Sequence, residues 1–223
     1  GITAVGVTDM PMDLWGIDVL VSGSQKAFML PPGLAFIAFS ERAWKATETA
    51  KLPRFYFDLK RERDNLHKNT TAYTPAINLI YGLNQALDMM LGEGLQNLFT
   101  RFARLGEAMR AGVRAMGLEL VAPDAPSPAV TGVFTPAGVD SGALQKYLRY
   151  QLGVEVAGGQ DQFKGKILRL AHLGFIDTFD IVTCIAALEF GLAKFQHDVP
   201  FGRGVGAAQA ILATGLPAGG AKS

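Results

Sequence analysis

With 223 residues, 49% of them hydrophobic, the chain is long enough to bury a substantial core as one domain or two. Lysine and arginine (21) nearly balance aspartate and glutamate (20), and the net charge of +1 gives no electrostatic basis for binding nucleic acid or an anionic membrane. A single cysteine, Cys184, excludes an internal disulfide framework and fits a reducing, cytoplasmic compartment, and neither a signal peptide nor a bilayer-length apolar run is seen.

The chain opens on Gly1-Ile2-Thr3-Ala4-Val5-Gly6-Val7, which reads like the interior of a domain. Ile17–Val21 is a short β-branched run expected to be a buried strand, and Leu34–Phe39 is a second apolar strand. Between them lies Ser22-Gly23-Ser24-Gln25-Lys26, returned by Pro31-Pro32-Gly33, where proline fixes φ and glycine accepts turn geometry. Ser40–Ala46 predicts a capped helix, Phe55–Leu59 an aromatic extended segment, and Lys60–Asp64 a solvated charged face or helix. Asn69–Pro75 is a polar loop ahead of a helix starting near Ala76, where hydroxyls and backbone N–H groups either cap the helix or form an anion site.

From Ala76 to Met116 apolar residues recur at helical spacing, interrupted by Gly92-Glu93-Gly94, which predicts two helices. The Leu and Met stripe (Ile77, Ile80, Leu83, Leu87, Met90, Leu91) belongs to a core or a dimer interface rather than a cofactor site. Strands are then expected at 118–121, 130–134, 154–156 and 167–171, with helices at 141–152 and 178–195. That order suits a small α+β domain on a larger α/β one. In the Gly/Ala/Pro-rich tail, 204–214 predicts a short helix and 215–223 disorder.

Two cations stand out. Lys26 follows a strand end and precedes an apolar run, and a lysine amine held against apolar surface becomes a usable nucleophile toward a carbonyl group. Its alternative is an ordinary solvated loop lysine. Arg169 sits inside the apolar strand Ile167–Ala171, where it needs a partner: an internal carboxylate, or a ligand carboxylate matched by its planar fork. His67 and His197 read as surface residues and His172 as close to the arginine strand. Their spacing suggests no metal site, and Cys184 reads as a small core residue.

Gly16-Ile17-Asp18, Ser22-Gly23-Ser24-Gln25-Lys26 and Pro31-Pro32-Gly33 together resemble the pyridoxal-phosphate (PLP) lysine segment of class V aminotransferases, most closely the alanine–glyoxylate / serine–pyruvate aminotransferase group. The resemblance runs from residue 1 to about His197. It implies a fold-type I PLP-dependent transferase, with residues 1–93 the C-terminal part of the large α/β domain, 94–198 the small α+β domain and 199–223 a tail. It implies that Lys26 forms the Schiff base with PLP, and that Gln25, Thr71 and Thr74 help bind the phosphate. The threonines do so across a homodimer interface, and a shift of the alignment would put Tyr73 in their place. Gly165-Lys166-Ile167-Leu168-Arg169 is similar to the segment whose arginine binds the substrate α-carboxylate. The family's aspartate for the pyridine nitrogen is expected just before Gly1, so the chain reads as the later part of a longer protein; Asp9, Asp13 and Asp18 do not match it.

The implied activity is transamination between a small amino acid and a 2-oxo acid such as glyoxylate or pyruvate. One alternative is a PLP-dependent lyase of the cysteine-desulfurase kind, which has histidine where Gln25 stands. Another is an inactive or non-enzymatic fragment. Relatives also carry the label of a soluble hydrogenase subunit, whose metal ligation one cysteine cannot supply.

Overall fold

The computed structural model describes residues 1–215. The chain divides into two compact units: Gly1–Val5 with Asp9–Gly92, and Gly6–Thr8 with Glu93 onward. Residues 216–223, the larger part of the segment expected to be disordered, lie outside the described residues.

The first unit is built on an antiparallel pair, β1 (Val19–Gly23) and β2 (Ala35–Phe39), in register from Val19↔Phe39 to Gly23↔Ala35. The first strand starts two residues later than its apolar run, because Ile17 N–H is already used in a turn by Met12 O (2.9 Å). Helix α1 (Glu41–Thr49) follows, capped as its sequence predicts by Ser40 Oγ accepting from Ala43 N–H. Asp18, just ahead of β1, accepts from Ser40 Oγ (2.7 Å) and Arg42 Nε (2.8 Å). Those two donors hold its carboxyl below the usual carboxylate range. Asp18 therefore staples the start of the hairpin to the start of α1.

The aromatic segment does not extend. Phe55, Tyr56 and Phe57 form a bend and turn, and Asp58 caps α2 (Leu59–Leu66) through Lys60 N–H (3.1 Å). An N-cap aspartate here outweighs aromatic β-propensity. Helix α3 (Ile77–Glu93) buries only Ala86 and Met90; Ile77, Tyr81 and Leu91 stay exposed. Apart from Met90, its stripe is thus not core within this unit.

The second unit has a conventional interior. Helix α4 (Leu95–Ala115) begins after Gly94, whose φ of 86° is open to glycine and breaks the helical run where the sequence places the break. It buries Leu98, Phe102, Leu105, Met109 and Val113, a single face at helical spacing. The sheet order is β3 (Val130–Phe134), β5 (Ile167–Ala171), β4 (Ala157–Gly158), all antiparallel. The strand expected at 118–121 shrinks to a bridge, Leu120↔Val133, and the one expected at 154–156 is replaced by the pair 157–158. Helices α5 (Ser141–Leu152), α6 (Thr178–Lys194) and α7 (Arg203–Ala213) complete the unit. Helix α4 packs closely on α7: a Cβ at Gly112 would overlap Ile185 Cδ1 and meet Gly204 O at 3.1 Å.

His172 follows β5 directly and is fully buried. Its Nδ1 pairs with Pro128 O (2.9 Å) and its Nε2 with Thr131 Oγ1 (3.0 Å). That assigns the proton to Nδ1, since a carbonyl can only accept. Burial pushes the imidazole from 6.5 down to about 4, with Arg110 adding to the effect. Because the folded value is depressed, the unfolded chain takes up the proton first as pH falls. Stability is full above pH 6.5 and is lost between 6.5 and about 4, by about 3 kcal/mol in total. Denaturant melts at pH 7.5 and pH 4.5 check this: His172→Gln should flatten the difference, and an unchanged difference in that variant would assign the acid lability elsewhere.

Candidate active site

Lys26 lies in the connection between β1 and β2, and one residue shapes that connection. Ser24 is fully buried. Its hydroxyl donates to Pro31 O (2.7 Å) and accepts from Leu34 N–H (3.2 Å). Its backbone N–H donates to Leu34 O (3.1 Å), and its carbonyl accepts from Leu30 N–H (3.1 Å). Four bonds from one serine close the loop at its base. Within it, Met29 N–H donates to Lys26 O (3.1 Å), making a tight turn in which Met29 takes φ 61°. A non-glycine residue in that region stores about 1–3 kcal/mol of strain, which the serine bonds and the Phe28–Phe36 ring contact (4.7 Å) hold in place.

The result is a half-buried Lys26 followed by a buried Ala27, with Gln25 exposed beside it. Gln25 folds back over Gly23, where a Cβ would meet its Oε1 at 2.7 Å. On β1, Ser22 is 4% exposed and its Oγ has no hydrogen-bond partner among the described residues. A buried orphan hydroxyl four residues before the lysine marks this strand end as a polar place with an unmet hydrogen bond. Sequence reading overlooked both serines; the Ser-x-Ser spacing ahead of a Pro-Pro-Gly return is the signal that carries them.

The loop 69–75 is also internally bonded. Thr71 Oγ1 donates to Tyr73 O (2.6 Å), while Thr74 is exposed. Tyr73 Oη accepts from Arg61 Nη1 (2.8 Å) and donates to Phe55 O (3.1 Å). Of the four hydroxyls in this loop, those of Thr71 and Tyr73 therefore have their protons committed locally.

Arg169 belongs to the second unit. It sits mid-strand, opposite Gly132 on β3 and Ala157 on β4. It is half-buried, and its Nε donates to Gly158 O (2.8 Å). No ion pair includes it among the described residues, so the internal salt bridge that a strand arginine invites is not its partner. One edge of the guanidinium is fixed by backbone, and its terminal nitrogens are left to another acceptor. Cys184, on α6, is a neutral thiol: burial pushes it up to about 12. Among the described residues no group of three or more His, Cys, Asp or Glu side chains is placed to hold a metal, and no helix is long and apolar enough to cross a membrane.

The sequence matches the family model described as "Aminotransferase class-V" over residues 2–172. It is 44% identical to the "Soluble hydrogenase, small subunit" of a Synechococcus species, over 96% of this chain and 56% of that protein. It is 39% identical to the L-aspartate–glyoxylate aminotransferase of Paracoccus denitrificans, over 94% of this chain and 53% of that protein. The fold superposes on the crystal structure of pyridoxamine–pyruvate aminotransferase from Mesorhizobium loti with a TM-score of 0.89 at 31% identity, covering 96% of this chain and 56% of that one. The chain spans about half the length of the curated relatives it matches.

Proposed function

The chain belongs to the class V aminotransferase family, whose fold is the fold-type I PLP-dependent one, and from that premise we propose that the whole protein moves an amino group between a small amino acid and a 2-oxo acid such as glyoxylate or pyruvate. The observation that carries this reading is the Ser24-pinned turn that presents Lys26. The first unit is taken as part of the cofactor-binding large domain and residues 94–198 as the small one, in a cytoplasmic homodimer. The exposed apolar residues of α3 support that assembly.

The donor set suits pyridoxal 5′-phosphate: a primary amine for its aldehyde, hydroxyl and amide groups for its phosphate, and an unpaired guanidinium edge for a substrate carboxylate. The orphan Ser22 hydroxyl adds a buried polar group at the same strand end. When bound, the cofactor supplies an electron sink for charge developing at the substrate Cα. Lys26 would hold it through Nζ and, when released, would take the proton from the substrate Cα and deliver it to the cofactor carbon, acting as base and then acid. Gln25, Thr71 and Thr74 bind the phosphate, the threonines from the other subunit. Arg169 receives the α-carboxylate on its terminal nitrogens, oriented by the Gly158 carbonyl at its Nε.

Two charge-assisted hydrogen bonds to a carboxylate correspond to about a hundredfold in affinity. Arg169→Ala should raise KM for both the amino acid and the oxo acid by about that factor, with kcat changed less and the cofactor spectrum retained. An unchanged KM would remove Arg169 from the substrate site.

The soluble-hydrogenase name of the Synechococcus relative draws no support from the described side chains: the one thiol, Cys184, is half-buried on α6 and held neutral by its surroundings. The same thiol is unsuited to the mobile nucleophile of a desulfurase.

A further inference from the structure

The loop that carries Thr71 and Thr74 is not held by the threonines. At its start, Asn69 takes φ 55°, and Thr70 N–H donates to Asn65 O (3.0 Å) at the end of α2. Its centre is held by Tyr73. The phenol hydroxyl bridges Arg61 Nη1 and Phe55 O, and the ring stacks on Tyr56 at 4.4 Å and 27°. The Arg61 guanidinium lies 5.2 Å from the Phe55 ring and 5.5 Å from that of Tyr73. The Tyr73 carbonyl in turn takes the Thr71 proton. Away from the loop's ends, the hydrogen bonds and ring contacts that tie it to other described residues are made by the Tyr73 phenol, which is itself engaged by Arg61.

We propose that Tyr73 and Arg61 form a latch that positions the loop 69–75 for the cofactor phosphate. The proposal rests on the reading of Thr71 and Thr74 as phosphate contacts. Tyr73 and Arg61 are positioning residues: they act through the loop and touch neither phosphate nor substrate. The latch also explains the chemistry of the segment before α2, where Phe55 and Tyr56 stay exposed or half-stacked on the surface instead of entering a core. They form the seat for Tyr73. Phosphate binding requires the Thr71 hydroxyl to turn its proton from Tyr73 O to the anion. A loop fixed at Tyr73 makes that exchange a single rotation about one side-chain bond.

The test compares pyridoxal 5′-phosphate with pyridoxal, which lacks the phosphate, in titrations of the intact protein, together with amide hydrogen exchange over 69–75. Tyr73→Phe keeps the ring and removes the bridge. It should weaken binding of the phosphorylated form about tenfold, leave pyridoxal unchanged and speed exchange across the loop. Arg61→Met should do the same without touching the loop's sequence. If the double variant Thr71→Ala, Thr74→Ala loses the preference for the phosphorylated form while Tyr73→Phe keeps it, the latch is wrong and the phosphate loop stands. If the double variant keeps that preference, or the unaltered protein has none, the phosphate loop fails and the latch with it. Equal weakening of both ligands by Tyr73→Phe would mean loss of structure rather than loss of positioning.

Discussion

Lys26→Ala is expected to remove transamination by about 10⁴-fold or more, because one amine holds the cofactor and also carries the Cα proton. The fold should survive the change. Lys26 is half-buried at the tip side of a loop whose closure depends on Ser24, and its side chain carries none of the hydrogen bonds that build the turn. The variant should melt with the parent and bind the cofactor only noncovalently. Lys26→Arg should be equally inactive, since a guanidinium keeps the charge but cannot form the covalent bond. Ser24→Ala is the informative companion: it leaves the amine present but removes two of the four bonds that close the loop. An active Lys26→Ala protein would end the assignment.

The largest loss of stability is expected at Glu189, far from that chemistry. Glu189 is 4% exposed on α6, and its carboxylate caps the start of α7. Oε2 accepts from Gly202 N–H (2.9 Å), and Oε1 accepts from Gly204 N–H (2.9 Å) and Val205 N–H (3.3 Å). An acidic side chain at a helix N-terminus meets both the unpaired donors and the positive end of the dipole. Glu189→Ala leaves three donors at the start of α7 without an acceptor, the Gly204 one buried, and opens space against Gly204, whose Cβ position lies 2.9 Å from Oε1. The expected cost is about 3 kcal/mol, read as a lower denaturant midpoint, with α7 exchanging its amides first. Glu189→Gln keeps one acceptor oxygen and should cost about half as much. A midpoint unchanged in Glu189→Ala would mean that α7 is held by its packing on α4 alone.

Most of the architecture was legible because local chemistry and tertiary packing agree. Ser40, Asp140 and Asp177 start helices where they stand as N-caps, and Gly94 and Gly153 mark helix ends with positive φ. The helix at 203–213 also falls where the glycine-rich tail hinted at one. Misreadings fell where a local cue competed with another. Phe55–Phe57 carry strand-forming side chains, but Asp58 caps a helix directly behind them and the rings serve Tyr73 instead. Residues 154–156 have the composition of a strand, but the ladder to Arg169 and Leu168 is made by 157–158.

For the candidate site, the residue types were legible and their supports were not. Lys26 and Arg169 stand out as cations in apolar surroundings. That Ser24 closes the loop, that Gly158 O fixes one edge of Arg169, and that Tyr73 engages Arg61 depend on partners seven, eleven and twelve positions away. No periodicity encodes such pairs. Glu189 was hidden in the same way: an acid in an apolar helix announces a buried partner, but its partners are backbone amides, which have no letter in the sequence.

The most direct measurement is borohydride reduction of the protein with pyridoxal 5′-phosphate, followed by tryptic peptide mapping. Lys26 is the only basic residue between Gly1 and Arg42, so cleavage after it normally releases Ala27–Arg42. Reduction should fix the cofactor mass on Lys26, block that cleavage and replace Ala27–Arg42 by a longer, cofactor-bearing peptide. Unblocked cleavage after Lys26, with the cofactor mass absent or on another lysine, would contradict the central claim.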